Sequence, residues 1–150
     1  MKRQSTKLSL HIEHPNRDLS GICAVLGLKP THIWKKGDER KTPKGTKIGG
    51  TRTNSYCSIE LGRLSRNPLP KQIEAILASL KPHRAILRKL SSTGGLVSFY
   101  VGWFCDENTG ERFGWQILDA MTDLRIALDL NIYVPEAQSN HLVIRRSSAK

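Results

Sequence analysis

The sequence predicts an α+β domain in which a single mixed β-sheet carries its helices on one face. Three observations carry this expectation. Strand-like alternation of apolar and polar residues recurs at Lys7 to Ile12, Tyr56 to Leu61 and Ile126 to Val134. Helical stripes of apolar residues fall between those strands, in 19–26, 69–80 and 115–124. Leu96 to Phe104 is apolar on both faces, as a strand inside a sheet should be.

A chain of 150 residues is one domain by length. At this size roughly two thirds of the unfolded surface is buried on folding, enough for a core without staples. The expected layout is a flexible basic N-terminus at 1–6, the domain at 7–134 and a polar C-terminal tail at 135–150.

The elements follow in order. In Lys7 to Ile12, Leu8, Leu10 and Ile12 share one face of a half-buried strand. His14-Pro15-Asn16 breaks it, and Asn16 or Asp18 can cap a helix whose stripe is Leu19, Ile22, Cys23 and Leu26. Gly27 suits the stop of that helix. Leu28 to Trp34 reads as extended. Residues 35–52 are basic and rich in Gly, Pro and Thr, so a long loop or a loose hairpin is expected. Tyr56 to Leu61 is a strand, with Cys57, Ile59 and Leu61 on its apolar face.

Pro70 suits the first turn of a helix carrying Leu69, Ile73, Ile76, Leu77 and Leu80. Pro82 ends or kinks it, and Ile86, Leu87 and Leu90 continue a second piece. After Leu96 to Phe104 comes an acidic loop at Asp106 to Gly110. The stripe Trp115, Leu118, Met121 and Leu124 then predicts a third helix, and Ile126 to Val134 a last strand. Leu142, Val143 and Ile144 could add a short edge strand. Residues 7–34 and 96–134 both read strand, helix, strand, and Leu26-Gly27-Leu28 echoes Leu124-Arg125-Ile126. The simplest architecture is therefore ferredoxin-like, with two pseudo-repeated β-α-β halves.

Charge is the feature that bears on partners. The net charge is +11, and it is lopsided. Residues 1–100 hold 19 Lys/Arg against 6 Asp/Glu, and residues 101–150 hold 5 against 7. The densest run is Lys35, Lys36, Arg40, Lys41, Lys44, Lys47 and Arg52, entered through Trp34. Such a field draws anions, without choosing among nucleic acid, an acidic protein and a membrane surface. These eight residues are the expected partner- or anion-binding site.

No other chemistry stands beside it. Gly45-Thr46-Lys47 lacks the upstream Gly of a phosphate loop, and Gly49-Gly50 lacks a following helix. His11 and His14 point to opposite faces of a strand, and no Cys pair has metal-ligand spacing. No Ser or Cys sits in a nucleophile elbow. No catalytic residue, metal or cofactor is expected. Three Cys, an odd number far apart in sequence, argue for a reducing compartment. No segment has the ~20 apolar residues of a membrane span and no apolar signal follows Met1 to Leu10, so a cytoplasmic protein with no membrane partner is expected.

Several landmarks, taken in order, resemble the bacterial family of domains of unknown function number 4279. They are the Asp18-initiated helix, Leu26-Gly27-Leu28 with Pro30-Thr31, Lys36-Gly37-Asp38, the helix end at Leu80, the apolar strand 96–104 and the closing Leu128-Asp129-Leu130-Asn131-Ile132-Tyr133. The resemblance spans most of 7–134. It implies one domain of this fold, and it brings no assigned activity.

The functional expectation is a small non-catalytic binding module whose basic face docks an acidic partner, a protein in an immunity-like or regulatory interaction. One alternative is nucleic-acid binding through 35–52 and the cations of the 70–90 helix, Lys71, Lys81, Arg84, Arg88 and Lys89. Another is a small-ligand pocket or enzyme site around Trp34, Trp103 and Trp115. The sequence leaves the oligomeric state open.

Overall fold

A computed structural model describes residues 4–136 of the chain. Five strands form one mixed sheet. They are β1 (Gln4–His14), β2 (His32–Trp34), β5 (Ser55–Glu60), β6 (Leu96–Cys105) and β7 (Ile126–Tyr133), in the order β2-β5-β1-β6-β7. Two further strands, β3 (Glu39–Lys41) and β4 (Lys47–Thr51), make a separate antiparallel hairpin. The helices are α1 (Ser20–Leu26), α2 (Leu69–Leu80), α3 (Arg84–Ser92) and α4 (Trp115–Asp123).

Within the sheet β1 pairs antiparallel with both β5 and β6, and β6 pairs parallel with β7. Alternation then sorts the side chains. Leu8, Leu10 and Ile12 of β1 align with Val101, Phe99 and Val97 of β6 on one face, joined by Cys57 and Ile59 of β5. Leu19, Ile22, Leu69, Ile73, Leu77, Leu87, Leu90 and Met121 of the helical layer close the core over that face. Each such side chain contributes about 1.5–3 kcal/mol when fully buried. Trp103 is also buried there, and its indole Nε1 meets no acceptor among the described residues.

The predicted elements stand, with corrections. Strand β1 begins at Gln4, so 4–6 are strand and not part of a flexible N-terminus; Thr6 is buried and pairs with Trp103. Region 35–52 is a hairpin with its own ladder. Pro82 splits the long helix at a 3-10 turn over Lys81–His83, as a ring without an N–H should. Asp18 takes the backbone N–H and hydroxyl of Ser20, at 3.0 and 2.8 Å, one residue ahead of the helix cap. In α4 the buried positions are Met121 with Ile117 and Ala120 beside it, whereas Trp115 and Leu118 are exposed. The predicted stripe was therefore turned partly to solvent. The 142–144 strand lies outside the described residues.

The two β-α-β segments are not placed alike. Strand β5 separates β2 from β1, whereas β7 pairs β6 directly. Their helix ends do share a device, because Gly27 (φ 67°) and Arg125 (φ 56°) both adopt left-handed backbone there.

His14 seals one end of the core. Its Nδ1 accepts the N–H groups of Asn16 and Arg17, at 3.3 and 3.0 Å. Its Nε2–H is then the donor to Thr93 Oγ1, at 2.9 Å. Gly95 packs against it, where a Cβ would lie 2.6 Å from the Leu90 carbonyl oxygen and 3.0 Å from that of Glu13. Only glycine fits at that crossing.

Candidate partner-binding surface

The hairpin is built by short-range chemistry. Asp38 Oδ2 accepts the Lys35 N–H at 2.9 Å, and Asp38 N–H donates back to the Lys35 carbonyl at 3.1 Å. Ser55 Oγ accepts the Lys36 N–H at 3.0 Å and ties the turn to the sheet. The tip closes on Thr42, whose carbonyl takes the Gly45 N–H and whose hydroxyl takes the Thr46 N–H. The base closes as Arg52 N–H donates to Asp38 O at 2.7 Å and Gly37 N–H to Arg52 O at 2.9 Å.

Six of the expected site residues, Lys35, Lys36, Arg40, Lys41, Lys44 and Lys47, are exposed on this hairpin and its base. Lys47 pairs with Glu39 at 3.4 Å, and Glu39 and Asp38 thus serve different partners. Trp34 and Arg52 are half-buried and do something else. The Arg52 guanidinium carbon sits 3.8 Å from the centroid of the Trp34 ring, and its Nη2 donates to the Lys41 carbonyl at 3.3 Å. Arg52 therefore joins the hairpin to the sheet edge.

The stack continues across the open face of the sheet. Trp34 stacks on Tyr56 at 4.5 Å, Tyr56 meets the His11 ring edge-on at 5.6 Å, and His11 stacks on Tyr100 at 4.6 Å. Strands β2, β5, β1 and β6 each supply one ring. Sequence reasoning missed this row. Its signal is an aromatic residue on the polar parity of each strand: Trp34 beside Ile33, Tyr56 beside Cys57, His11 beside Leu10 and Tyr100 beside Phe99.

Burial holds the His11 pKa below its ordinary value, although Asp129 and Glu13 nearby pull it up. Burial likewise raises the Tyr56 phenol. Glu13, Asp129 and Glu60 occupy this face with Lys7, and Lys7 is bound to Glu60 at 3.0 Å. The open face is thus aromatic and weakly acidic, while the hairpin at its edge is cationic.

A cavity of about 780 Å³ opens between hairpin and sheet, with Trp34, Tyr56, Arg52, Asp38, Lys41 and Pro43 in its lining. Neither Trp103 nor Trp115 is there. Trp103 lies in the core on the other face of the sheet and Trp115 is exposed on α4, so the three tryptophans do not form one pocket. The cations of 70–90 are partly engaged as well. Arg84 Nε donates to both Asp123 carboxylate oxygens at 2.8 and 2.9 Å, Arg88 donates to the Asp123 carbonyl, and Lys71 lies 3.8 Å from Glu74. Among the described residues no cluster of three or more His, Cys, Asp or Glu could hold a metal ion, and no helix is long and apolar enough to cross a membrane.

Fold and surface together define an α+β protein with a one-sided helical layer and a cationic hairpin at its sheet edge. Residues 4–135 match the family described as Domain of unknown function (DUF4279), and the chain belongs to that family. Comparison with curated proteins and with solved structures finds no match.

Proposed function

We propose that this protein is a non-catalytic binding module that meets an acidic surface of a partner protein through the β3–β4 hairpin, in an immunity-like or regulatory interaction. The observation that supports this most is the hairpin itself. Six exposed cations are held out from the sheet edge, and Arg52 anchors them on Trp34. Clustered charge of one sign speeds encounter with an opposite surface and sets which partners are admitted. Trp, Tyr and Arg are the side chains that concentrate binding energy at protein interfaces, and Trp34, Tyr56 and Arg52 lie together at the hairpin base. The unbridged state of Cys23, Cys57 and Cys105 suits a reducing cytoplasm.

A second reading has one specific observation in its favour. The aromatic row beginning at Trp34 is the kind of surface on which single-stranded nucleic acid stacks. Against it, the rings stack on one another, and Glu13 and Asp129 flank the middle of the row. A phosphate backbone crossing the sheet would meet those carboxylates. The acidic-protein reading needs only the hairpin edge.

Fluorescence anisotropy with labelled duplex DNA and single-stranded RNA over a salt series separates the two. Our reading expects no appreciable binding at moderate salt. Tight binding with a log–log salt slope near −0.9 per phosphate on duplex DNA, lost when Lys35, Lys36, Lys41 and Lys44 are all changed to Glu, would replace it with the nucleic-acid reading.

A further inference from the structure

We infer that β7 is a self-association edge, and that its occupant is the β7 of a second copy of this chain, paired antiparallel about a two-fold axis at Leu130. The inference does not depend on the role of the hairpin.

Strand β7 ends the sheet, and its described partner is β6 on one side alone. Natural edge strands are shielded by Lys, Pro, a bulge or shortness. This one has eight residues, an unbroken register with β6, and Asp129 as its single charge. Eight of the twelve exposed large apolar side chains among the described residues lie on β7, just after it, on adjacent β6 or on α4. Trp115, Val134 and Ile132 are each more than half exposed. Exposed apolar side chains gathered on both faces beside an open edge mark an interaction site.

The sequence of the edge argues for a second copy. Residues directly opposite in an antiparallel pair point to the same face, so the register must preserve parity. Centred on Asp129, the pairing would set two carboxylates opposite each other. Centred on Leu130, it sets Asp129 opposite the amide side chain of Asn131, Leu128 opposite Ile132, and Ile126 opposite Val134. Apolar then meets apolar along the helical face, and the carboxylate meets a donor. Charge agrees. The cationic hairpin belongs to the far edge, next to β2, so a ten-stranded sheet would hold the two hairpins about 40 Å or more apart, several times the ~8 Å screening length.

The test uses the full chain. Sedimentation equilibrium from about 1 to 100 µM should give a mass of about twice the 16.8 kDa of one chain at the upper end. Ile132→Lys, at an exposed position, should weaken the dimer by at least about tenfold. In a Cys105→Ser background, Leu130→Cys should cross-link to itself under mild copper–phenanthroline oxidation, two thiols passing two electrons to dioxygen. Directly opposed Cα atoms stand about 4.5–5.5 Å apart, within disulfide reach. Asp129→Cys, offset from its own mate, should not cross-link. A monomer at 100 µM, a dimer indifferent to Ile132→Lys, or cross-linking at 129 and not 130 would each overturn the inference. So would a monomer whose β7 amides exchange slowly on both edges, since residues of the same chain would then fill the strand's open side.

Discussion

The Arg52 guanidinium carbon lies over the Trp34 ring, 3.8 Å from its centroid, although the two residues bracket the whole basic hairpin in sequence. This contact turns a cationic loop into a placed one. Lys41 is held through its carbonyl by the same guanidinium, and Trp34 is held in turn by Tyr56. The hairpin charges thus inherit a fixed position from the sheet.

Arg52→Ala should cost little global stability, about 1 kcal/mol, because a half-exposed cation–π contact contributes no more. It should nevertheless free the hairpin base. Amide exchange of Arg52 and Gly37, which bond to Asp38 O and Arg52 O, should accelerate by at least about tenfold, the factor equivalent to ~1.4 kcal/mol of local opening. Arg52→Lys should rescue only partly, because an ammonium lacks the planar face. Unchanged exchange in Arg52→Ala would remove the anchoring role.

Arg125 turns the chain from α4 into β7 with a φ of 56°, a conformation that costs a side-chain-bearing residue about 1–2 kcal/mol. Gly27 makes the equivalent turn after α1 without that cost. Arg125→Gly should therefore raise stability by about 1 kcal/mol in urea denaturation, since the hydrogen bond it loses, Nη1 to Thr122 O at 3.3 Å, is exposed. A fall in stability would mean that the Arg125 side chain contributes more than that contact suggests.

His11 links the aromatic row to pH. Its folded pKa lies below the ordinary value of 6.5, first because of burial. Between the folded and the ordinary value the unfolded chain binds more protons, so stability must fall as pH drops through that window. The contribution is complete above the ordinary value. His11→Asn should flatten the decline between neutral and mildly acidic pH in denaturant titrations. An equally steep decline in the variant would assign the pH dependence elsewhere.

Cys23 and Cys57 come within 3.4 Å of each other inside the core, while Cys105 is partly accessible. Burial, and then Cys23 itself, push the Cys57 thiol far above its ordinary range. A thiol reagent at pH 8 should therefore modify Cys105 at least about tenfold faster than the other two, which should react only on unfolding. Equal rates for all three would show that this part of the core opens readily.

Much of the fold was legible because burial writes itself into periodicity. Leu8, Leu10 and Ile12 announce a strand with one wet face, and Leu96 to Phe104 announces a strand inside the sheet. Gly27 is a stop that only a left-handed turn requires. Trp115 and Leu118 misled for a physical reason: they share the helical spacing of Met121, yet α4 packs beside β7, the last strand of the sheet, so part of its apolar stripe faces solvent. The cations of the site could be read from composition. The Arg52–Trp34 contact and the ring row could not, because the four rings come from four different strands and only the register brings them together.

The most direct measurement compares the wild-type chain with the variant carrying Lys35→Glu, Lys36→Glu, Lys41→Glu and Lys44→Glu as baits in nuclease-treated extract of the source cell. Quantitative mass spectrometry reads what each retains, after circular dichroism has shown that both are folded. One acidic protein should be held by the wild type at moderate salt and lost by the variant. Equal retention of that protein by both baits, or binding that vanishes once nucleic acid is digested, would contradict the acidic-protein reading.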